Sequence, residues 1–154
     1  TSSSPSRTAR SMLAINRAGR FARPRLGPVT AVAGRGAAFG DLPNDGWTDI
    51  VMAVLGGKPW VFRNRRGDAH WLTLSLRGTR SNRDGFGARV LVNGQSQYAT
   101  SAGSYASASD KRVHFGLGAA NSAKVEIKWP SGTVQKMDNV RADQFLSVVE
   151  PEQP

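Results

Sequence analysis

The pattern with the clearest chemical content is a nine-residue stretch, Asp41-Leu42-Pro43-Asn44-Asp45-Gly46-Trp47-Thr48-Asp49. Carboxylates stand at its first, fifth and ninth positions, and the glycine at the sixth permits the sharp turn that would bring them together. Calcium takes six to eight oxygen ligands in flexible geometry, so carboxylates spaced by four around a glycine turn suit it. An EF-hand is excluded, because the twelfth position is Met52 rather than Glu and an apolar run follows where a helix should begin. Without metal, the same residues form an acidic turn whose Asp and Asn side chains accept backbone N–H groups. A second candidate is Ser81–Val90 (SNRDGFGARV), where Asn82, Arg83 and Asp84 present polar groups on a loop that Gly85 and Gly87 allow to turn. Its alternative is a plain turn held by the Asn82 and Asp84 side chains.

Other chemistries lack their residues. There is no cysteine, which removes thiolate nucleophiles, thiolate metal sites and disulfides. The two histidines, His70 and His114, do not have zinc-motif spacing. Gly34-Arg35-Gly36 lacks the third glycine of a dinucleotide fingerprint, and neither a Walker A sequence nor a G-x-S-x-G elbow is present. The sequence therefore reads as a non-enzymatic chain.

The formal charge of +10 is concentrated at the start: residues 1–40 hold seven arginines and no acid. A polyanion- or nucleic-acid-binding module built on this Arg-rich segment is the alternative function. Only Phe21 lies among these arginines, so the aromatic platform of a nucleic-acid binder is missing. Residues 1–11 are expected to be a disordered basic segment. No apolar run approaches the roughly 20 residues of a membrane span. A start at Thr1 with a Ser/Arg-rich opening is expected for a fragment of a longer chain.

The elements that must position these loops are strands. Asp49–Leu55 (DIVMAVL) is a continuous apolar run expected to be buried on both faces, with Trp60–Arg63 as its hairpin partner after Gly56-Gly57. Asn64–Ala69 marks a module boundary, and from His70 the alternation is clean. Leu72, Leu74 and Leu76 share one face, and Trp71, Thr73 and Ser75 the other. Asn93-Gly94 joins Ala88–Val92 to Gln95–Thr100 as a type I′ hairpin. Val113, Phe115 and Leu117 alternate with an outward His114, and Val125, Ile127 and Trp129 form a further core face. Trp129-Pro130-Ser131-Gly132 is a turn into Thr133–Met137, and Gln144–Val149 supplies the last strand. Ser101–Asp110 reads as a flexible connection. The fold class is all-β, with a sandwich or open barrel over about residues 70–150.

Gly36–Asp49 (GAAFGDLPNDGWTD) resembles the FG-GAP/VCBS-type repeat of integrin-type β-propellers. Met12–Phe21 is similar to the last strand and turn of a preceding unit, and Val61–Asn64 echoes it. Ser81–Val90, His114–Gly118 (HFGLG), Ile127–Gly132 (IKWPSG) and Asn139–Gln144 resemble the ASPIC/UnbV domain of cartilage acidic protein-like chains. The resemblance implies residues 12–66 as a partial propeller blade and residues 70–150 as a small antiparallel β-sandwich-like domain. It implies upstream propeller blades, and calcium held by Asp41, Asp45 and Asp49 with the Trp47 carbonyl. Pro43 departs from the pattern, offering no side-chain oxygen where a ligand is expected, so the implied site is weak. The implied role is non-catalytic binding, adhesion or scaffolding in a secreted, cell-surface or periplasmic protein, with a protein or carbohydrate ligand.

Overall fold

The structure, a computed structural model, describes residues 15–17, 20–22, 34–65, 67–103 and 105–152. The basic segment at residues 1–11 lies outside them, as do Arg23 and Arg25. All regular elements among the described residues are strands. A short hairpin pairs β1 (Ile15–Arg17) with β2 (Arg20–Ala22). An antiparallel three-stranded sheet follows, β3 (Gly34–Gly40), β4 (Asp49–Val54) and β5 (Trp60–Phe62), with β4 central. The Trp60–Phe62 hairpin partner is as the sequence implies, with Val51 opposite Val61. Strand β3 was not legible in GRGAAFG, because glycine carries little strand propensity. Its Gly36 serves a close approach: a Cβ there would lie 2.7 Å from the Tyr105 carbonyl oxygen.

Residues 70–149 form two facing sheets. One orders β12 (Gln144–Val149), β6 (His70–Arg77) and β9 (Val113–Gly118). The other orders β11 (Val134–Arg141), β10 (Ser122–Lys128), β7 (Arg89–Val92) and β8 (Gln95–Tyr98). The alternation foreseen along these strands places Leu72, Leu74, Leu76, Val113, Phe115 and Leu117 in one core with Val90, Val92, Val125, Ile127 and Trp129. Burying each large apolar side chain contributes about 1.5–3 kcal/mol, which makes this core the main source of stability. Asn93 and Gly94 both have positive φ, 46° and 85°, as a type I′ hairpin requires. Where the edges of β8 and β9 meet, glutamines bridge them: Gln97 Nε2 donates to the His114 carbonyl at 2.8 Å and Gln95 Nε2 to that of Gly116 at 2.9 Å.

Three expectations change. The sandwich is not wholly antiparallel, because β12 runs parallel to β6. The chain switches sheets at Ala142-Asp143, where Asp143 takes φ 57° and its N–H donates to the Trp71 carbonyl at 2.7 Å. Strand β4 is not buried on both faces along its length among the described residues: only Asp49 and Met52 are buried, one on each face, and the others are half-buried or exposed. The Ser101–Asp110 connection is tied to β3, with Asp110 N–H donating to the Phe39 carbonyl at 2.8 Å and Phe39 N–H to Ser109 Oγ at 3.2 Å.

The glycine turns give a graded test. At Gly85, φ is 65° and a Cβ would meet Leu76 Cβ at 2.7 Å, whereas at Gly94 the space is open. Gly94→Ala is expected to cost about 1 kcal/mol for the left-handed backbone alone. Gly85→Ala adds overpacking of about 1–3 kcal/mol. Thermal unfolding of both variants checks the order, and equal costs would contradict the packing at Gly85.

Candidate functional site

The Asp41–Asp49 loop is short of partners on its own sheet and finds them on the outer face of β6 and β9. Outward side chains on that sheet fall in rows fixed by register: Phe145, Thr73 and His114 lie opposite one another across β12, β6 and β9. Trp71 packs beside them, its ring 4.9 Å from that of Phe145 and stacked on His114 at 6.1 Å. Gly46 seats the loop on Trp71 so closely that a Cβ there would fall 1.9 Å from the indole Cε2.

Arg112, just before β9, is the polar anchor. Its Nη1 donates to Asn44 Oδ1 at 2.8 Å and its Nη2 to the Asp41 carbonyl at 3.3 Å. The same guanidinium bonds Asp110 Oδ2 through Nε at 2.8 Å and Nη2 at 2.5 Å, and lies 5.0 Å over the Phe145 ring. Burial works against the Asp110 charge, but the Arg112 side-chain and backbone bonds outweigh it and hold that carboxyl below its usual range. His114 is therefore not the surface histidine expected. Its Nδ1 shares a 2.8 Å hydrogen bond with Thr73 Oγ1, which is itself buried. Burial lowers the imidazole pKa, with Arg112 acting the same way against Asp41 and Asp110. Both effects favour the uncharged ring.

Within the loop the carboxylates do three different jobs. Asp41 closes the turn, its Oδ1 accepting from Asp45 N–H at 3.0 Å and its Oδ2 from Gly46 N–H at 2.7 Å. Asp45 Oδ1 accepts from Trp47 N–H at 3.1 Å. Asp49 is buried and faces β5 and the chain beyond it: Oδ1 accepts from Asn64 N–H at 2.8 Å, and Oδ2 lies 3.3 Å from Arg63 Nε without a hydrogen bond. No three His, Cys, Asp or Glu side chains group as a metal-holding set among the described residues. As arranged, Asp41 spends both oxygens on its own backbone and Arg63 supplies positive charge beside Asp49, so a calcium ion would have to displace these contacts.

The second candidate, Asn82–Asp84, is likewise occupied with structure. Asn82 clasps the loop, donating from Nδ2 to the Phe86 carbonyl at 2.6 Å and accepting from Phe86 N–H at 2.9 Å. Asp84 pairs with Lys111 at 2.6 Å, and that bond holds its carboxyl below the usual range. Arg83 is exposed. What fixes the stretch before this loop is Glu150, which pattern reading missed because it sits alone at the end of β12. Its carboxylate is 1% exposed. Oε2 accepts from the N–H groups of Thr79, Arg80 and Ser81 at 2.9, 3.0 and 2.7 Å, and Oε1 from the hydroxyls of Ser81 and Ser131 at 2.9 and 2.5 Å. No sequence pattern announced this nest, since a lone acid just after an alternating strand does not tell which donors it will meet.

No curated protein compared with the chain matches it. The sequence model of the ASPIC and UnbV family matches residues 78–154, half of the chain. The match begins one residue after β6, although β6 is the strand between β9 and β12. The match covers half of the chain, with the Glu150 nest and the Asn82 clasp inside it, and the chain belongs to the ASPIC and UnbV family.

Proposed function

We propose that this chain is a non-catalytic binding and scaffolding module of a secreted or cell-surface protein. In this reading β3, β4 and β5 belong to an FG-GAP-like propeller unit whose acidic loop is joined to the ASPIC/UnbV sandwich. The single observation that carries it is the Arg112 anchor, which spends one guanidinium on Asn44, the Asp41 carbonyl and Asp110 at once. Such an anchor sets the geometry of two units rather than assembling a reacting group. Upstream blades of the same chain would extend the β3–β5 sheet side, and the partner would be a protein or carbohydrate at the cell surface. Arrays of extracellular proteins and glycans, run across a salt series, test this. Saturable binding that survives moderate salt is expected. Retention that collapses between low and moderate salt would favour the Arg-rich polyanion alternative instead, and turnover of ester, phosphoester or glycoside substrates would overturn the non-catalytic reading.

A weak calcium site in the loop is a second reading, favoured by the buried Asp49 Oδ2 that accepts no hydrogen bond. Asp41 would have to exchange two backbone bonds for the ion, so affinity belongs in the millimolar range of extracellular modules. Calorimetric titration of the parent, Asp45→Ala and Pro43→Asp decides it: the aspartate at position 43 is expected to strengthen binding and Asp45→Ala to remove it. If Pro43→Asp takes up no calcium, Asp41, Asp45, Trp47 and Asp49 are only an acidic turn.

A further inference from the structure

Between the docked loop and the sandwich lies a cleft of about 260 Å³, lined by residues of both units. Its charged groups are already engaged in hydrogen bonds. Arg112 is bonded to Asp110, Asn44 and the Asp41 carbonyl, Asp110 accepts from Arg112 through both carboxylate oxygens, and both oxygens of Asp41 hold backbone N–H groups. The groups left to face a ligand are neutral and of mixed polarity. Gln97 uses its Nε2 on the His114 carbonyl, which leaves the amide oxygen. His114 uses Nδ1 on Thr73, which leaves Nε2. Thr48 and Ser109 add hydroxyls, and Phe39, 49% exposed, supplies an apolar wall. Pockets for drug-sized ligands run from about 300 Å³ upward, so this cleft suits one small ring.

We propose that this cleft binds a neutral polyhydroxylated ligand of monosaccharide size, its hydroxyls meeting Gln97, His114, Thr48 and Ser109 and one C–H face lying on Phe39. Hydroxyls both donate and accept, which matches a lining of one amide oxygen, one ring nitrogen and two hydroxyls. A carboxylate ligand would face two carboxylates against one guanidinium, and an ammonium ligand would have to compete with the donors already on Asp41 and Asp110, so either would lose hydration without full replacement. The inference rests on the binding-module reading and gives it a ligand class and a place.

The chain's two histidines provide the test, because His70 is an internal control: it sits on the Asp143 carboxylate at 2.6 Å, and neither residue is part of the cleft lining. The imidazole resonances of the full chain are followed during titration with methyl glucoside, methyl galactoside and myo-inositol, and with glucuronate and glucosamine as charged counterparts. At least one neutral probe is expected to shift His114 saturably in the millimolar range, to leave His70 in place, and to bind more tightly than the charged sugars. Gln97→Ala and Thr48→Ala are each expected to weaken it severalfold while the His114 resonance of the free protein still reports a folded sheet. An unmoved His114 with every neutral probe, tighter binding of a charged sugar, or undiminished binding in both variants overturns the proposal. Binding on the arrays with His114 unmoved would overturn the cleft alone, whereas substrate turnover would overturn the binding-module reading beneath it.

Discussion

Glu150→Ala is expected to destabilise the sandwich by about 3 kcal/mol or more, the largest effect expected of a single polar substitution among the described residues. The carboxylate collects three consecutive N–H groups and two hydroxyls in a site where it is almost wholly covered. Removing it leaves several part-buried donors without an acceptor, at about 1–3 kcal/mol for each that water cannot reach. The backbone bonds of residue 150, from Thr79 Oγ1 to its carbonyl and from its N–H to the Arg77 carbonyl, do not need the carboxylate, so the loss reports the side chain alone. Urea unfolding of parent and variant measures the loss, and an unmoved midpoint would show that the nest does not hold the fold.

The same carboxylate contributes to the acid limb of stability. Burial alone would raise its pKa, but the Ser131 hydroxyl, the Ser81 and Thr79 amides and the Ser81 hydroxyl outweigh it and bring it from 4.5 down to about 2. Below pH 4.5 the unfolded chain takes up the proton before the folded one does. The contribution is therefore complete above 4.5 and is lost as pH falls toward 2. Stability measured over that window is expected to fall more steeply for the parent than for Glu150→Ala.

Gly46→Ala carries the second large expectation. A non-glycine residue at φ 91° is strained, and its Cβ would fall inside the Trp71 indole, 1.9 Å from Cε2 and 2.3 Å from Nε1. Trp71 cannot retreat easily, being packed against His114 and Phe145. Backbone strain of about 1–3 kcal/mol and overpacking of similar size both weigh against the docked position of the loop. The loop is therefore expected to leave the sheet while the sandwich core, which lies on the other face of β6, stays folded. Near-ultraviolet dichroism should lose part of its tryptophan signal, and urea unfolding of the sandwich should keep its cooperativity. A variant with the parent's spectrum would mean that Gly46 does not rest on Trp71.

How much of this was legible follows from what kind of signal each residue carries. Leu72, Leu74, Leu76, Val125 and Ile127 announced themselves because a strand half buried between two sheets must alternate. Asn93-Gly94 did so because two successive positive φ angles select those residues. The acidic loop was visible as a turn, yet its spacing could not say whether the carboxylates would meet an ion or their own backbone. That outcome depends on Asp41 reaching the Asp45 and Gly46 amides and on Arg112 arriving from 68 residues beyond Asn44. His114 misled for the same reason: period-two alternation places it outside one sheet but does not reveal that a distant loop covers that outside. Glu150 gave no pattern at all, since a lone acid acquires its role only when β12 lands beside β6.

Hydrogen exchange at the Asp45 and Gly46 amides, with a chelator present, tests the central claim most directly: the loop closes on Asp41 without an ion and is held to the sandwich by Arg112. In the parent both amides are expected to exchange slowly. In Arg112→Ala they should exchange faster, together with the β4 amides, while those of Val90 and Phe115 in the core keep their protection. Unprotected Asp45 and Gly46 amides in the parent, or protection that Arg112→Ala leaves unchanged, would contradict the account.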